Sequence, residues 1–427
     1  MAPGVPLSSL FLTLVAQKKE MRFIYNLGIL VYSALIWILS PFNSKAGLWI
    51  KGRKGWYKEL KRKILQGERY IWMHCASLGE FEQGRPVIEA IREEIPGIKI
   101  VLTFFSPSGY EIRKNYDQAD IVCYLPADTP KNAVKFIDLI NPEKVIFVKY
   151  EFWYNYIKTI EKRRIPLFLI SAIFRKEQFL FKWYGSFFRK ILKGFTEFYV
   201  QDQLSADILK EEGVERVRVA GDTRFDRVIQ IAGNAGDIPG LEKFRDGGKI
   251  FLAGSSWKKD EEIIASYINK YPERMKWVFA PHEIDNENIE RLERLFITEC
   301  VRFSRINDDL PGARVMIIDN MGMLSSAYKY AYIAAVGGGF GKGIHNILEP
   351  ACWSVPVLFG PNHKKFREAL EIISLGGGRS FNNYEEFETM LSEWLDNEDL
   401  YRRAADSAGK YVRKNTGATR KIIEGIK

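Results

Sequence analysis

Short apolar runs alternate with longer amphipathic segments along the chain from residue 70 onwards. Apolar runs of this length predict buried strands, and the amphipathic segments between them predict helices. The predicted strands form two series: Tyr70–His74, Ile98–Phe105, Ile121–Leu125, Lys144–Val148, Leu167–Ser171 and Glu197–Val200, then Ile250–Ala253, Trp277–Ala280, Val315–Ile318, Tyr332–Val336 and Val355–Phe359. Strands that alternate with helices pair in parallel and are covered on both faces. The pattern therefore predicts an α/β protein with two doubly wound, Rossmann-like domains.

A glycine-rich segment separates the two series of strands. Residues 232–248 contain five glycines, a proline and scattered charges, which is typical of a linker. We therefore expect an N-terminal domain over residues 46–231 and a C-terminal domain over residues 249–427 that ends in helices. A length of 427 residues also favours two domains over one core. Two such domains commonly face each other across a central cleft that holds the ligands.

The N-terminal segment follows a different pattern. Residues 1–20 have no regular pattern and are predicted to be a disordered extension, with Met21 as the effective start. Phe23–Ser44 contain no charged residue over a length that spans a bilayer, so residues 21–45 are predicted to be a membrane anchor. The segment 51–63 is rich in Lys and Arg, and by the positive-inside bias it places the rest of the chain in the cytoplasm. These cations would also bind anionic lipid head groups.

Two apolar segments allow more than one interpretation. The first, Phe23–Ser44, could also be a signal peptide or a buried or interfacial helix, although no small-x-small cleavage site precedes the basic residues. The second, Phe174–Phe198, has aromatic residues interspersed with Lys and Arg. It is either a helix that lies in a membrane interface or a core helix with solvated lysines.

Charge and cysteine content narrow the range of partners. The formal charge of +10 indicates an anionic partner, such as an acidic membrane surface, a phosphorylated substrate or a nucleic acid. No nucleic-acid-binding motif accompanies the charge, so no nucleic acid partner is expected. The four cysteines are far apart and form no CxxC pair. A disulfide framework or a zinc site is therefore not expected. The cysteine pattern instead predicts that the protein is in a reducing compartment.

Polar side chains follow several predicted strands of the first domain. Glu80, Ser106, Glu151 and Ser171 each lie at or shortly after the end of such a strand. The carboxyl ends of parallel strands lie at one edge of a sheet, and ligands bind there. These residues therefore predict a site at one edge of the first domain.

Another group of candidate residues lies in the second domain, within Ala334–Asn362. An apolar run there ends in the glycines Gly337–Gly339, and His345, Asn346 and Glu349 follow where a helix is predicted to begin. Glycines let the backbone approach a ligand closely, and a helix N-terminus attracts anions such as phosphate. A tight turn between core elements would explain the glycines alone. Hydrophobic packing does not explain the three polar residues.

In chain order, short motifs at these positions resemble those of Kdo transferases: ASLGE (Ala76–Glu80), YEFW (Tyr150–Trp153), GDTRFD (Gly221–Asp226), APHE (Ala280–Glu283), DNMG (Asp319–Gly322) and GIHNILEPA (Gly343–Ala351). The resemblance implies the two-domain glycosyltransferase B architecture. It implies transfer of 3-deoxy-D-manno-octulosonic acid (Kdo) from CMP-Kdo to a lipid A precursor (lipid IVA), with inversion, in lipopolysaccharide biosynthesis. It also implies no metal, no cofactor besides the donor substrate, and a place on the cytoplasmic side of the cell inner membrane.

The resemblance assigns roles to particular residues. Glu80 matches the general base that takes a proton from the acceptor hydroxyl, and burial would raise its pKa toward the working range. Ser77, three residues earlier, leaves helix capping as an alternative role for Glu80. Glu151 and Arg224 match positions that stabilise the transition state. The positions that match the CMP site are Pro281, His282, Gly322, Met323, Leu324, Asn346, Ile347, Leu348 and Glu349.

The chain departs from the family pattern at two positions. Met323 stands where a glutamate is often found, and Arg224 stands where a lysine is common, which keeps the charge but changes its geometry. The alternative function is a two-domain glycosyltransferase with a UDP-sugar donor and a lipid acceptor. A non-catalytic membrane protein that binds a nucleotide is disfavoured, because mere binding has no need of Glu80, Glu151 and Arg224 together.

Overall fold

The computed structural model describes the backbone of residues 7–306 and 312–427, and the side chains of these residues except 7–19 and 184. The chain forms two compact units. One consists of the residues up to Thr223 together with Gly417–Lys427, and the other consists of Arg224–Thr416. Each unit contains one sheet of seven strands, all paired in parallel. The predicted α/β class with two doubly wound sheets is therefore confirmed.

The strands of the first unit are β1 (Tyr70–Cys75), β2 (Lys99–Phe104), β3 (Ile121–Tyr124), β4 (Lys144–Val148), β5 (Leu167–Ala172), β6 (Glu197–Val200) and β7 (Val217–Val219). Their order across the sheet is β3-β2-β1-β4-β5-β6-β7. All of them except β7 match a predicted strand. The prediction missed β7 because it is a short edge strand whose residues are exposed or half-buried, so its sequence lacks an apolar run.

Helices cover both faces of this sheet: α1 (Leu7–Leu39), α2 (Ser44–Lys51), α3 (Trp56–Lys63), α4 (Leu78–Glu94), α5 (Pro107–Arg113), α6 (Pro130–Ile140), α7 (Tyr154–Arg163), α8 (Ser186–Leu192) and α9 (Gln203–Glu211). Successive residues of a strand point to opposite faces, so Trp72 and Val145 lie in one apolar layer while Met73 and Ile146 lie in the other. Burial on both faces explains why these strands are continuous apolar runs in the sequence.

The strands of the second unit are β8 (Ile250–Ser256), β9 (Lys276–Pro281), β10 (Cys300–Arg302), β11 (Val315–Ile317), β12 (Ala331–Val336), β13 (Val357–Phe359) and β14 (Gly378–Ser380). Their order is β10-β11-β9-β8-β12-β13-β14. The two edge strands, β10 and β14, were not predicted. Each is three residues long and mostly half-buried, so a periodic apolar pattern is absent there too.

The helices of the second unit are α10 (Thr223–Gly233), α11 (Pro239–Arg245), α12 (Lys258–Lys270), α13 (Asn286–Glu293), α14 (Leu324–Ala327), α15 (Leu348–Cys352), α16 (Arg367–Ser374), α17 (Tyr384–Asp396) and α18 (Glu398–Lys414). Helix α11 lies inside the predicted linker 232–248 and buries Leu241 and Phe244. The division between the units falls at the start of α10 instead of at the glycine-rich segment.

The C-terminal segment belongs to the first unit, which differs from the predicted range of 249–427 for the second domain. Helix α19 (Ala418–Ile426) buries Ile422, Ile423 and Ile426 in the same apolar layer as Met73. The Lys144 ammonium donates a hydrogen bond to the carbonyl of Ile426. The predicted basic tail is thus an amphipathic helix, whose apolar side supplies part of the core.

Helix α1 differs from the predicted extension, because it begins at Leu7 and includes most of residues 1–20; residues 1–6 lie outside the described part. Its stretch Glu20–Leu39 is long and apolar enough, by length and composition, to cross a membrane. One side of this stretch is attached to the first unit through Tyr25, whose hydroxyl donates to Asp128 Oδ2 at 2.6 Å. The other side exposes large apolar residues such as Leu30 and Trp37.

The aromatic and basic segment 174–198 is not a single helix. It contains two 3₁₀ turns, followed by α8 and then the first residues of β6. Phe174 and Phe187 are buried in the first unit, in agreement with a core role. Trp183, in contrast, is 88% exposed, and Phe179 is also exposed, so this segment contributes both to the core and to an apolar surface.

Candidate functional site

Two carboxylates meet at the carboxyl edge of the first sheet. Strands β1 and β4 are parallel neighbours, so the loops that follow them lie side by side. Glu80 is in the first turn of α4, which begins two residues after the loop residue Ala76, and Glu151 follows β4. Lys149, between β4 and Glu151, adopts a left-handed conformation with φ 64° and turns the chain at this point. The predicted grouping of Glu80 and Glu151 is present.

The Glu151 carboxylate is held in place by polar contacts with His74 and Trp153. Its side chain is nearly fully buried. The ring nitrogen Nε2 of His74 lies 3.0 Å from Glu151 Oε2, and the indole N–H of Trp153 donates to the same oxygen. The same indole N–H also lies 3.1 Å from His74 Nε2, and both partners come from the segments that lead into or out of the two loops. A buried carboxylate with such partners retains a fixed position.

Glu80 lies in an environment that favours its protonated form. Burial, and next the charge of Glu151, raise the pKa of the Glu80 carboxyl to about 8. The N–H of Ala76, which donates to Glu80 Oε2, and the charge of Lys149 oppose this rise. A carboxyl group whose pKa lies near the working pH is suited to accept and release a proton.

The capping alternative for Glu80 is present in part. A full capping box requires the N-cap side chain to accept a backbone N–H of the first turn. Ser77 is the N-cap residue of α4, but its hydroxyl makes no such hydrogen bond. Glu80 does reach back to the N–H of Ala76. Glu80 therefore helps to close the loop before α4, and the residue as a whole is half-buried.

The other two polar residues at this edge have local structural roles. The hydroxyl of Ser106 accepts the N–H of Ser108 at 3.3 Å and caps α5. Ser171 is buried with φ 56°, and its hydroxyl lies 3.1 Å from that of Thr223. Among the described residues, neither hydroxyl forms a hydrogen bond with a carboxylate.

The glycines at the end of β12 permit close packing. A Cβ atom on Gly337 would lie 2.2 Å from the carbonyl oxygen of Ser255, and one on Gly339 would lie 2.6 Å from the backbone of Gly360. Gly338 has φ 90° and donates its N–H to the buried carboxylate of Asp260 at 3.0 Å. The tight-turn alternative therefore accounts for these glycines.

The helix predicted to begin at His345 is present but begins three residues later. Helix α15 begins at Leu348 and has only five residues, so His345 and Asn346 lie in the preceding loop. The Asn346 side-chain oxygen accepts the N–H of Leu348 at 3.2 Å, which caps the first turn. The side chains of Ile347 and Leu348 are fully buried, so only their backbone atoms could contact a ligand.

Three aromatic rings form a stack in the second unit. The rings of Trp257 and His282 are 4.6 Å apart at 23°, and those of His282 and His345 are 4.6 Å apart at 30°. The indole N–H of Trp257 donates to His345 Nε2 at 3.0 Å. Burial, and next the charge of His282, lower the pKa of His345 to about 4, so this ring is neutral at pH 7. A neutral aromatic surface of this kind can stack on a planar base.

A carboxylate lies near this stack in the chain. Glu349 accepts a hydrogen bond from Asn346 Nδ2 at 3.1 Å and one from the Ser325 hydroxyl at 2.6 Å. Ser325 follows the predicted positions Gly322, Met323 and Leu324, so these two predicted groups are brought together. Gly322 has φ 93° and open space where a side chain would be, whereas Met323 packs partly into the core. Pro281 is the last residue of β9.

Two comparisons identify the family. The family model described as 3-Deoxy-D-manno-octulosonic-acid transferase (kdotransferase) matches residues 50–227. A 3-deoxy-D-manno-octulosonic acid transferase from Aquifex aeolicus is 31% identical over 333 residues, which are 76% of this chain and 86% of the relative. This chain belongs to the Kdo transferase family. It is therefore a glycosyltransferase, and the resemblance carried by its motifs is confirmed.

Further relatives agree with this assignment. A Kdo transferase from Haemophilus influenzae is 24% identical over 430 residues, covering 95% of this chain and 98% of that protein. Among solved structures, UDP-GlcNAc 2-epimerase from Neisseria meningitidis superimposes with a TM-score of 0.58 at 15% identity, over 84% of this chain and 99% of the other. This structural likeness shows the fold alone, which is of the glycosyltransferase B type.

The site residues predicted from the family motifs are divided between the two units. Glu80 and Glu151 lie in the first unit, whereas Arg224 lies in the second unit together with the predicted CMP residues. The Arg224 guanidinium is 29% exposed and donates to Glu368 Oε1 at 2.8 Å. Arg224 and Glu368 therefore form an ion pair in which the guanidinium stays partly exposed.

Three contributors to these groups were not predicted as site residues: His74, Trp257 and Ser325. His74 had one visible signal, because it is a polar residue in an otherwise apolar strand. Trp257 belongs to the predicted loop after the first strand of the second series. Its stacking on His282 was not predicted, because the parallel pairing of β8 and β9 brings the two loops together but leaves the orientation of the rings open.

Proposed function

We propose that this Kdo transferase moves Kdo from CMP-Kdo to lipid IVA, a lipid A precursor, with inversion at the sugar. The observation that supports this proposal most directly is the pair of carboxylates Glu80 and Glu151. Burial and the neighbouring Glu151 charge raise the pKa of Glu80 to about 8, which suits a general base. Inverting transfer to a sugar hydroxyl requires such a base.

In the proposed reaction, Glu80 takes the proton of an acceptor hydroxyl. The hydroxyl oxygen forms the new glycosidic bond while the bond between the sugar and the CMP phosphate breaks, and CMP leaves with the bonding electrons. Arg224 is the proposed partner for the charge that develops on the departing phosphate, since a guanidinium binds phosphate oxygens well. Glu151 is proposed to stabilise the transition state through its fixed negative charge.

The second unit is proposed to bind the CMP portion of the donor. The cytosine would stack on the ring surface formed by Trp257, His282 and His345, and Glu349 would accept hydrogen bonds from ribose hydroxyls. Pro281, Gly322, Met323, Leu324, Ile347 and Leu348 would contribute backbone atoms. This division of roles follows the family motifs.

We propose that the enzyme acts on the cytoplasmic side of the cell inner membrane. The exposed apolar side of α1 supports insertion into a bilayer, and the cationic segment 51–63 supports contact with anionic lipid heads. A lipid acceptor would be reached from this position without leaving the membrane.

Incubation of the purified enzyme with CMP-Kdo and lipid IVA, followed by mass analysis of the lipid, tests the proposal. The expected product is lipid IVA extended by Kdo, together with free CMP. Reactions with UDP-sugars in place of CMP-Kdo serve as controls. Extension of the lipid only with a UDP-sugar would support the alternative glycosyltransferase function and contradict this one.

A further inference from the structure

The buried ring of His74 links the core of the first unit to Glu151. His74 and Thr103 are both fully buried and are paired across the neighbouring strands β1 and β2. The ring packs against Phe147 and Trp153, with ring centres 5.6 Å and 6.3 Å away. An imidazole in such apolar surroundings is costly unless both ring nitrogens have hydrogen-bond partners.

Both nitrogens of His74 do have partners. Nδ1 lies 2.8 Å from the hydroxyl oxygen of Thr103, and Nε2 lies 3.0 Å from Glu151 Oε2. The Thr103 oxygen also accepts the indole N–H of Trp72 at 2.8 Å. A continuous chain of hydrogen bonds therefore runs from Trp72 through Thr103 and His74 to Glu151.

The neighbours of His74 accommodate either neutral form of its ring. With the proton on Nδ1, the ring donates to Thr103, whose carbonyl oxygen lies 3.2 Å away, and Nε2 accepts the indole N–H of Trp153 at 3.1 Å. A proton on Nε2 instead donates to Glu151, and the Thr103 hydroxyl can then donate to Nδ1. In either form the ring is linked to Glu151, directly from Nε2 or through the Trp153 N–H, which contacts both Nε2 and Glu151 Oε2.

We propose that His74, fixed by Thr103, is a positioning residue that holds the Glu151 carboxylate beside Glu80 for the reaction. The inference rests on the proposed function of these two carboxylates. Its consequence is that the proton affinity of the general base depends on a hydrogen-bond chain that begins at Trp72 in the core of the first unit.

The other ionisable groups at this edge act differently on Glu80. The charge of Lys149 lowers the pKa of Glu80, and it does not depend on His74. Burial, and next the two carboxylates, raise the pKa of the Cys75 thiol, which therefore stays neutral at pH 7. Glu151 is thus the neighbouring charge that raises the pKa of Glu80. Loss of the His74 ring should let the Glu151 carboxylate move away from Glu80, so the pKa of Glu80 should fall.

Two substitutions at position 74, with side chains of different length, test this inference. The Gln side chain can place an N–H donor near the position of Nε2, whereas the Asn side chain reaches only as far as Nδ1. We expect His74→Gln to keep the wild-type midpoint in the pH dependence of Kdo transfer. We expect His74→Asn to move this midpoint to lower pH and to reduce turnover by about tenfold or more. A shared midpoint for wild type, His74→Gln and His74→Asn would contradict the inference, even if both variants are slow.

A milder pair of variants covers the case in which the His74 variants do not fold. Thr103→Val removes the hydroxyl that fixes Nδ1 and should also shift the midpoint to lower pH. Thr159→Val is the matched control, because Thr159 is buried in the same unit and donates to the carbonyl of Asn155 at 2.7 Å, away from the carboxylates. An unchanged midpoint in Thr103→Val, or an equal shift in both variants, would overturn the inference.

A readout without the reaction separates this inference from the proposed function. Infrared difference spectra between the wild type and Glu80→Gln follow the carboxyl band of Glu80 as the pH changes. If the wild type transfers no Kdo, the proposed function fails, but the same infrared midpoints still test the role of His74. The midpoint should be lower in the Thr103→Val background, and an equal midpoint there would contradict the role.

A second inference comes from an independent feature of the second unit, a cavity of about 730 Å³. We call it the lysine cavity, because Lys342, Lys364 and Lys365 line it together with His363 and neutral residues. No acidic residue is among its lining residues. Within the described part of the chain, no carboxylate forms an ion pair with any of the three lysines, and Lys365 donates to the carbonyl of Lys342.

A second cavity of the same unit is also lined by cationic residues, but it differs from the lysine cavity because it contains acidic residues as well. That cavity, of about 510 Å³, is lined by arginines and lysines but also by Asp246 and Glu273. Arg245, Arg274 and Arg314 there each form an ion pair with a carboxylate. The positive charge of the lysine cavity, in contrast, is available to an anion from outside.

The geometry points to the lysine cavity as a site for the carboxylate of the sugar acid in the donor. Lys342 lies in the loop between β12 and His345, so the cavity adjoins the proposed CMP residues along the chain. This inference also rests on the proposed function, because it supplies a partner for the sugar portion of the donor. A carboxylate bound by ammonium groups would distinguish the sugar acid from neutral sugars.

Calorimetric binding of CMP and of CMP-Kdo tests this site. The double variant Lys342→Gln/Lys364→Gln should bind CMP as the wild type does and should bind CMP-Kdo about tenfold more weakly or worse. The control is Lys249→Gln/Lys259→Gln, whose lysines lie in the same unit and are paired with carboxylates. Equal affinities for CMP-Kdo in the wild type and the first variant would overturn the inference, as would equal weakening of both ligands. A wild type that does not bind CMP-Kdo at all would instead overturn the proposed function.

Discussion

At the scale of single residues, the chemistry depends on groups whose ordinary properties are changed by their surroundings. Glu80 illustrates this, because a pKa of about 8 leaves it ionised in only about one molecule in ten at pH 7. His345 is changed in the opposite sense, since burial makes its ring neutral and suited to stacking. Both effects come from neighbours that are distant in the chain.

The donor residues give the first prediction at this scale. Asn346→Ala and Glu349→Ala should each weaken CMP binding, because Asn346 orients Glu349 and Glu349 is the proposed ribose acceptor. Thermal shift with CMP, UMP and GMP measures the effect, and the wild type should respond most to CMP. Asn415→Ala is a control in the same unit, whose side chain donates to the carbonyl of Tyr411. Stabilisation of the wild type by UMP alone, or unchanged CMP responses in both variants, would contradict the assignment.

The candidate residues themselves were partly predictable. Glu80 and Glu151 could be found from the sequence because each follows a strongly apolar strand, and parallel pairing brings such loops together. The partners His74 and Trp257 could not be assigned, because their contacts depend on ring orientations in the folded unit. The need for glycine at Gly337 and Gly339 also could not be assigned from the sequence. It comes from tertiary packing, because backbone atoms of other loops lie where a side chain would be.

At the scale of secondary-structure elements, the strands that could be predicted were those that form a continuous run of apolar residues. The central strands of both sheets were found because they are buried on both faces, whereas the edge strands β7, β10 and β14 are short and less apolar. The helix predicted to begin at His345 begins only at Leu348, because the Asn346 side chain accepts the N–H of Leu348 and caps the first turn there. Capping depends on local geometry that residue type alone leaves open.

Helix α1 is joined to the first unit by a polar contact that can be tested. Asp128 is buried and accepts hydrogen bonds from the Tyr25 hydroxyl at 2.6 Å and from the N–H groups of Asn155 and Tyr156 at 3.0 Å. Tyr25→Phe should lower the free energy of unfolding by about 1–3 kcal/mol, because it removes a donor to a buried carboxyl group.

Thermal unfolding in one detergent measures this effect. Tyr32→Phe is the matched control, because it removes the same atom from a residue of α1 whose ring stacks on Phe105. No hydrogen bond of the Tyr32 hydroxyl is found within the described residues. A Tyr25→Phe variant as stable as Tyr32→Phe would show that this contact does not hold α1 in place.

At the scale of the whole molecule, the chain ends in the unit with which it begins. Ile422, Ile423 and Ile426 of α19 complete an apolar layer of the first unit, although the sequence after Tyr411 resembles a basic tail. Ile423→Ala should therefore destabilise the protein by about 2–4 kcal/mol, as expected for a large-to-small change in a core. Lys421→Ala, on the same helix, is the control for loss of an exposed side chain. Equal unfolding temperatures for the two variants would contradict the packing of α19.

The proposed membrane position predicts how the full-length enzyme behaves in native membranes. High salt should not release it, because the apolar side of α1 is held by hydrophobic burial and not by charge. Protease should digest the two units in inside-out inner-membrane vesicles and spare them in right-side-out vesicles. Release by salt alone would argue against a spanning helix, and digestion in right-side-out vesicles would argue against the cytoplasmic side.

The pH dependence of Kdo transfer tests the central claim, that Glu80 is the general base, most directly. The wild-type kcat/KM should rise with pH through a midpoint of about 8, because the base acts only when it is ionised. Glu80→Gln should bind CMP normally, lose about 10²–10⁴ in turnover and no longer show this rise. A Glu80→Gln enzyme with near-normal turnover and the same pH dependence would contradict the account and leave Glu80 with only its hydrogen bond at the start of α4.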